Sequence, residues 1–280
     1  MSEPRTSISP TAHFTGAVWA RNGLSHPALE TSAGRLMYLS MRPAMAVNRA
    51  LGGTRLEDFL LARHLLIDRL LEAAVERGEI SQVIEIAAGM SPRGWRFAER
   101  HGERLAYIET DLPEMAARKR QALERAGSLG PEHRVLTIDA LREDGELSLA
   151  AIAAGLDPDR GLAIIAEGLP PYLDRDAVLG IWRRAAGSLS GFPHGLMLSD
   201  LHLASETRGA LVSLGTLALR AFVRGQVGMH FEEEADAGSA LAEAGFETVA
   251  LHRGSEVSDA ESAGNIRVIA AATRARPGAA

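Results

Sequence analysis

The sequence predicts an α/β fold built on a seven-stranded, mostly parallel sheet, with helices on both faces and an antiparallel hairpin at one edge. Three observations carry that expectation. Short apolar or β-branched runs recur at Val83 to Ala88, Leu105 to Thr110, Val135 to Ile138, Leu162 to Ala166 and Leu196 to Ser199, the pattern of strands buried on both faces. Helix-sized or loop-sized segments separate them, so right-handed crossovers and a parallel sheet follow. Two final runs, Phe246 to His252 and Ile266 to Thr273, have only a Gly/Ser/acidic loop between them, which is too short for a helical crossover.

The elements can be justified in order. Met1 to Pro10 is polar, with no apolar core, and does not read as a signal peptide. Thr11 to Gly53 mixes aromatic and small residues without a clean period until Gly34 to Leu51, a stretch compatible with a helix. Residues 1–53 are therefore expected to form an N-terminal helical extension or lid, residues 54–274 the α/β domain and residues 275–280 a disordered tail. Thr54-Arg55-Leu56-Glu57 has the form of a capping box, and Leu56, Phe59, Leu60, Ile67, Leu70, Leu71 and Ala74 recur at helical spacing up to Gly78. Pro113 to Ala126 starts on a proline and stops at Gly127; Asp174 to Leu189 starts on an aspartate cap; Ser205 to Arg224 is a long apolar-rich helical segment.

Composition limits the function. With 46% apolar and 24% charged residues among 280 the chain is globular, and no run is long and apolar enough to span a membrane. A cytoplasmic protein is the expectation. A net charge of -6 argues against general nucleic-acid binding. The absence of cysteine removes disulfides, Cys-ligated zinc, iron-sulfur clusters and thiol nucleophiles. His230 beside Phe231-Glu232-Glu233-Glu234 has no second histidine at ligand spacing, so no metal site is expected.

Ligands of such sheets bind beyond the carboxyl ends of the strands. Ala87-Ala88-Gly89 follows the first strand, and its small residues let backbone approach a ligand, although a tight turn would look the same. The next strands end at Asp111, Asp139, Glu167 and Asp200. Four acids on one rim suggest a pocket for hydroxyls, amines and positive charge; Asp111 reads equally as a ribose ligand or as a helix cap.

Val83-Ile84-Glu85-Ile86-Ala87-Ala88-Gly89-Met90-Ser91-Pro92-Arg93, then Tyr107-Ile108-Glu109-Thr110-Asp111-Leu112-Pro113, then Ile165-Ala166-Glu167-Gly168-Leu169-Pro170-Pro171-Tyr172-Leu173 resemble the leucine carboxyl methyltransferase family. That family includes polyketide O-methyltransferases and belongs to the class I S-adenosylmethionine-dependent enzymes. The resemblance covers roughly Leu56 to Leu201 and implies a Rossmann-like class I methyltransferase fold with S-adenosylmethionine as cofactor and S-adenosylhomocysteine as product. It assigns cofactor contacts to Glu85, to the Ala87, Ala88 and Gly89 loop, to Asp111 and Leu112 at the ribose, to Asp139 and Ala140 at the adenine, and to Glu167 and Gly168 near the methionine amino group. Arg63, in Leu61-Ala62-Arg63-His64, is the counterpart of an arginine that pairs with the methionine carboxylate. The family more often carries Gly where Ala87 stands.

The expected acceptor is an oxygen, carboxylate or hydroxyl, of a small molecule such as a secondary metabolite. His13, Phe14, Trp19 and Asn22 of the extension and Tyr172 are the expected substrate contacts, with Tyr172 and His202 as possible bases. Two alternatives remain open at this point: a non-catalytic protein that binds S-adenosylmethionine, and a nicotinamide-dependent oxidoreductase, which would want a glycine-rich fingerprint after the first strand.

Overall fold

The structure is a computed structural model that describes residues 10–50, 56–204, 229–259, 263 and 266–275. The capping-box residues Thr54 and Arg55, the Ser205 to Arg224 segment and the extreme termini lie outside the described residues.

Seven strands form one sheet in the order β3-β2-β1-β4-β5-β7-β6. They are β1 (Gln82–Ile86), β2 (Ala106–Asp111), β3 (His133–Thr137), β4 (Leu162–Ala166), β5 (Gly195–Leu201), β6 (Thr248–Arg253) and β7 (Arg267–Ala272). β1 pairs in parallel with β2 and β4, with Ile84 opposite Ile108 and Ile164. The strand order therefore reverses between β1 and β4, which is where such sheets open a crevice. β7 runs antiparallel to both β5 and β6. The expected hairpin is present, but β6 alone forms the edge and β7 is inserted beside β5.

β1 and β4 are buried along their whole length. Successive side chains point to opposite faces, and the core divides accordingly. Ile84 packs with Trp182, Leu189, Leu241 and Phe246 beneath α7 (Arg175–Leu189) and a later helix, Glu234–Ala244. Val83 packs with Leu66, Ile67, Leu71, Tyr107 and Ile165 beneath α3 (Leu56–Glu76). Each such side chain, fully buried, contributes roughly 1.5–3 kcal/mol.

α5 (Pro113–Arg125) and α7 begin as the sequence predicts; Asp174 caps α7 by accepting the Ala177 N–H at 2.8 Å. α4 (Arg93–His101) is not foreshadowed by an apolar period, because its buried face consists of Arg93, Gly94, Phe97 and His101. α6 (Leu149–Ala154) is too short to show one, and the Glu234–Ala244 helix, hereafter α8, buries mainly alanine.

In the N-terminal segment the sequence shows a helical stretch only at Gly34 to Leu51, and the structure holds a second helix before it. Residues Pro10–Arg21 form a helix, α1, followed by α2 (Ser32–Ala50). His13 to Trp19 of α1 are buried without interruption. A helix enclosed on all sides has no polar stripe, hence no period to read. Gly34 allows α2 to lie directly against α1, since a Cβ there would stand 2.2 Å from the His13 carbonyl oxygen. Among the described residues no helix is long and apolar enough to cross a membrane.

Candidate active site

The loop after β1 holds a backbone conformation that L side chains rarely adopt. Ala87 has φ +53° and Gly89 φ +50°; Ala87 is the one described non-glycine residue with positive φ. The Ala88 N–H returns to the Thr110 carbonyl at 2.9 Å, tying the loop to β2. Asp111 then receives the Gly89 N–H on Oδ2 at 2.7 Å and the Leu112 N–H on Oδ1 at 2.8 Å. Burial pushes the Asp111 carboxyl above its ordinary value, against those two hydrogen bonds. Behind the loop, Lys119 donates to the Ala88 carbonyl at 3.4 Å and pairs with fully buried Glu109, which His133 also contacts at 2.7 Å.

Asp139, after β3, is half-exposed and accepts the Leu141 N–H at 3.1 Å. The Ala140 carbonyl accepts from Arg184 Nε at 3.2 Å.

Past β4 and β5 lies a buried ionic network. Arg63 donates Nε to Glu167 Oε1 at 3.0 Å and Nη1 to Asp200 Oδ2 at 3.1 Å. Asp200 Oδ1 receives the N–H of Gly168, whose φ is +70° and where a Cβ would come within 3.2 Å of Arg63 Nη2. Arg93 donates Nε to Asp68 at 2.5 Å, Nη1 to Glu85 at 2.7 Å and Nη2 to Glu167 at 2.5 Å. Glu85 also receives the Tyr107 hydroxyl at 2.7 Å. Burial alone would raise the Glu167 carboxyl, but His64, Arg93 and Arg63 outweigh it and hold it well below the usual glutamate value.

α1 lies across this rim. Ala12 faces Gly89, 3.3 Å from where a Cβ would be, and Gly16 faces the Met90 side chain. Trp19 packs on His64 with ring centroids 4.7 Å apart, and His64 Nδ1 is 2.9 Å from Glu167. The Tyr172 hydroxyl donates to Thr11 Oγ1 at 2.9 Å, joining the loop after β4 to α1.

The structure thus gathers Arg63, Ala87, Ala88, Gly89, Asp111, Leu112, Asp139, Ala140, Glu167, Gly168 and Tyr172 at the carboxyl ends of the strands. Glu85 is taken up by Arg93 and Tyr107 inside the core. The aromatic residues of α1 serve packing: Phe14 is buried against Tyr38, with centroids 6.0 Å apart. His13 contacts Thr31 Oγ1 at 2.9 Å, and the Asn22 side chain donates back to the Val18 carbonyl at 2.8 Å. His202 stands one residue beyond β5, its Nε2 3.2 Å from Asp200 Oδ2. The sequence alone points to no role for Arg93 or Asp68. A charged residue opening a polar helix carries no local sign that it will be buried among partners up to 74 positions away.

A seven-stranded sheet of this order, with antiparallel β7 and small-residue and acidic strand ends at the switch point, defines the Rossmann-like class I methyltransferase fold. Two solved structures share it: a DUF574 family protein of Streptomyces avermitilis, 14% identical with a TM-score of 0.62 over 94% of this chain and 97% of that one, and a protein of Thermobifida fusca provisionally named a methyltransferase, 13% identical with a TM-score of 0.61 over 95% and 94%. The family model for leucine carboxyl methyltransferase matches residues 24–186, and the chain belongs to that family. A Frankia alni protein provisionally named an S-adenosyl-L-methionine-dependent methyltransferase is 34% identical over 151 residues, 54% of this chain and 51% of the relative. The chain matches about half the length of such curated relatives.

Proposed function

We propose that the protein is an S-adenosylmethionine-dependent methyltransferase that delivers a methyl group to an oxygen of a small molecule, such as a secondary metabolite. The observation that carries this reading is the carboxylate of Asp111 beside the left-handed loop at the switch point. Each of its oxygens accepts one backbone N–H, and each retains a second lone pair for a ribose hydroxyl.

The remaining groups fit the cofactor's other parts. Arg63 and Glu167, in contact and of opposite charge, match an amino-acid end that carries both carboxylate and ammonium. Asp139, half-exposed after β3, suits an exocyclic amine. Gly89 leaves space that a Cβ would fill, between the loop and Ala12. When bound, S-adenosylmethionine supplies a methyl group on a sulfonium whose leaving sulfur is neutral. The chain has to align the acceptor and exclude water, effects worth up to about 7–11 kcal/mol together, and α1 across the rim suits the second task. Oxygen as the receiving atom is supported by the family's description, which names a carboxyl group.

Calorimetry tests the reading. Saturable binding of S-adenosylhomocysteine, with none of NAD, is expected; the opposite result overturns it. Asp111→Ala should weaken that binding by roughly 1.5–3 kcal/mol, the range for a hydrogen bond to a charged group. Because burial raises the Asp111 carboxyl, affinity should decline on acidification at a higher pH than an ordinary aspartate would give. Unchanged affinity in the variant would leave Asp111 a cap for the loop and α5.

A further inference from the structure

Resting on the methyltransferase reading, a second question is which oxygen receives the methyl group, and the rim beyond β5 bears on it. His202 Nε2 is 3.2 Å from Asp200 Oδ2, and its ring stacks on Phe59 of α3 with centroids 5.5 Å apart. Asp200 is almost fully buried and is fixed by the Gly168 N–H on one oxygen and Arg63 on the other. Burial would raise its carboxyl, but the Arg63 charge and the His202 contact outweigh that and hold it below the usual aspartate value. An ionised carboxylate only accepts hydrogen bonds. The proton in the contact therefore belongs to Nε2, and a neutral imidazole then carries its lone pair on Nδ1. The side chain keeps 20% of its surface exposed.

The other polar rings near the rim are engaged differently. His64 is fully buried against Glu167 and Arg93. His13 is held by Thr31, His230 lies against the Pro170 carbonyl, and the Tyr172 hydroxyl donates to Thr11. We propose that His202 is the general base of the transfer, oriented by Asp200 as a positioning residue, and that the acceptor is a hydroxyl, phenolic or alcoholic. A carboxylic acid is already ionised near neutral pH and needs no base, whereas a hydroxyl gains from one. In the step, the acceptor's O–H proton moves to Nδ1 as its oxygen bonds to the methyl carbon. The carbon–sulfur bond breaks with its electron pair going to sulfur, and the proton later leaves His202 for solvent.

Three measurements on the full chain test this. Calorimetry with S-adenosylhomocysteine comes first: no binding by the wild type defeats the methyltransferase reading itself, whereas binding by wild type and His202→Gln alike leaves that reading standing and the base on trial. Nitrogen NMR of ¹⁵N-histidine-labelled protein, with His202 identified by its loss in His202→Gln, should show the Nε2–H tautomer, and Asp200→Asn should abolish that preference. An Nδ1–H tautomer in the wild type overturns the proposal. Transfer of labelled methyl from S-adenosylmethionine to a panel of catechols, hydroxyquinones and aromatic carboxylic acids should favour the hydroxyl compounds. His202→Gln should lower kcat by about 10²- to 10⁴-fold, the usual contribution of a general base, with little change in KM, and should remove the acid-side fall in rate. Preference for a carboxylic acid, an unchanged kcat and pH profile in His202→Gln, or no hydroxyl turnover by protein that binds S-adenosylhomocysteine each overturns it.

Discussion

Arg93 places each nitrogen of its guanidinium on a carboxylate from a different segment: Asp68 of α3, Glu85 of β1 and Glu167 after β4. Replacing it by methionine keeps the length but strands three buried charges. Breaking such a pair costs about 3–5 kcal/mol, and urea unfolding of Arg93→Met at pH 7 should show a loss of that size. Acid should reveal the same network. Glu167 is held below its ordinary value, so its contribution is complete above the usual glutamate range and is lost as pH falls through the lowered value. The wild type should weaken on acidification, and Arg93→Met should weaken less, because protonation relieves its unpaired acids. Ala87 offers the opposite case. A left-handed L-residue costs roughly 1–2 kcal/mol, partly returned by glycine's larger unfolded-state entropy. Ala87→Gly should therefore leave the denaturation midpoint unchanged or higher; a clear drop would show that the alanine methyl contributes more by packing than its φ takes away.

At the scale of elements, closeness of approach depends on residues whose side chains are missing. α4 lies on β2 at Gly94, where a Cβ would stand 2.4 Å from the Glu109 carboxyl carbon. Glu109 cannot withdraw, since Lys119 and His133 hold it. Gly94→Ala should cost about 1–3 kcal/mol, as overpacking does, measured as a lower urea midpoint. Such contacts explain what the chain made legible. β4 is legible to its last residue because it is an uninterrupted apolar run, and β1, β2 and β5 are legible within two because their apolar and β-branched residues dominate. β3 starts two residues earlier than its apolar run, at His133, which is buried with Glu109 on one ring nitrogen and the Ser128 carbonyl on the other. α4 escaped notice for a related reason: its inward face is partly ionic. In the site, the acids at the strand ends were visible as a pattern. What sets them apart is remote in the chain: Asp111 is held by backbone N–H groups alone, one of them 22 positions away, whereas Glu167 and Asp200 also receive arginines 74 to 137 positions away.

Over the whole molecule, the N-terminal helix, the loop after β1 and the loop after β4 converge on one end of the sheet. Ala12 against Gly89, Trp19 against His64 and Thr11 with Tyr172 are three separate attachments of α1 to that rim. A ligand seated at the switch point should stabilise all of them together, since binding to the native form alone raises its stability by mass action. Hydrogen exchange followed by mass spectrometry should show slower exchange in Pro10–Arg21 and in 87–91 when S-adenosylhomocysteine is added. Protection confined to 87–91 would mean that α1 is anchored independently of the ligand.

The position of β7 bears on how the protein is made. β7 is hydrogen-bonded to β5 on one side and β6 on the other, yet it emerges from the ribosome after both. While the nascent chain is being extended, β5 presents an open edge and β6 has no neighbour in the sheet. Sheet closure must then wait for Arg267–Ala272, and the half-built molecule carries an unpaired strand edge of the kind that invites association with other chains. A messenger truncated just before that strand would yield a chain lacking two ladders at once, and such a product should depend on chaperones and be cleared by proteases far faster than the full-length protein.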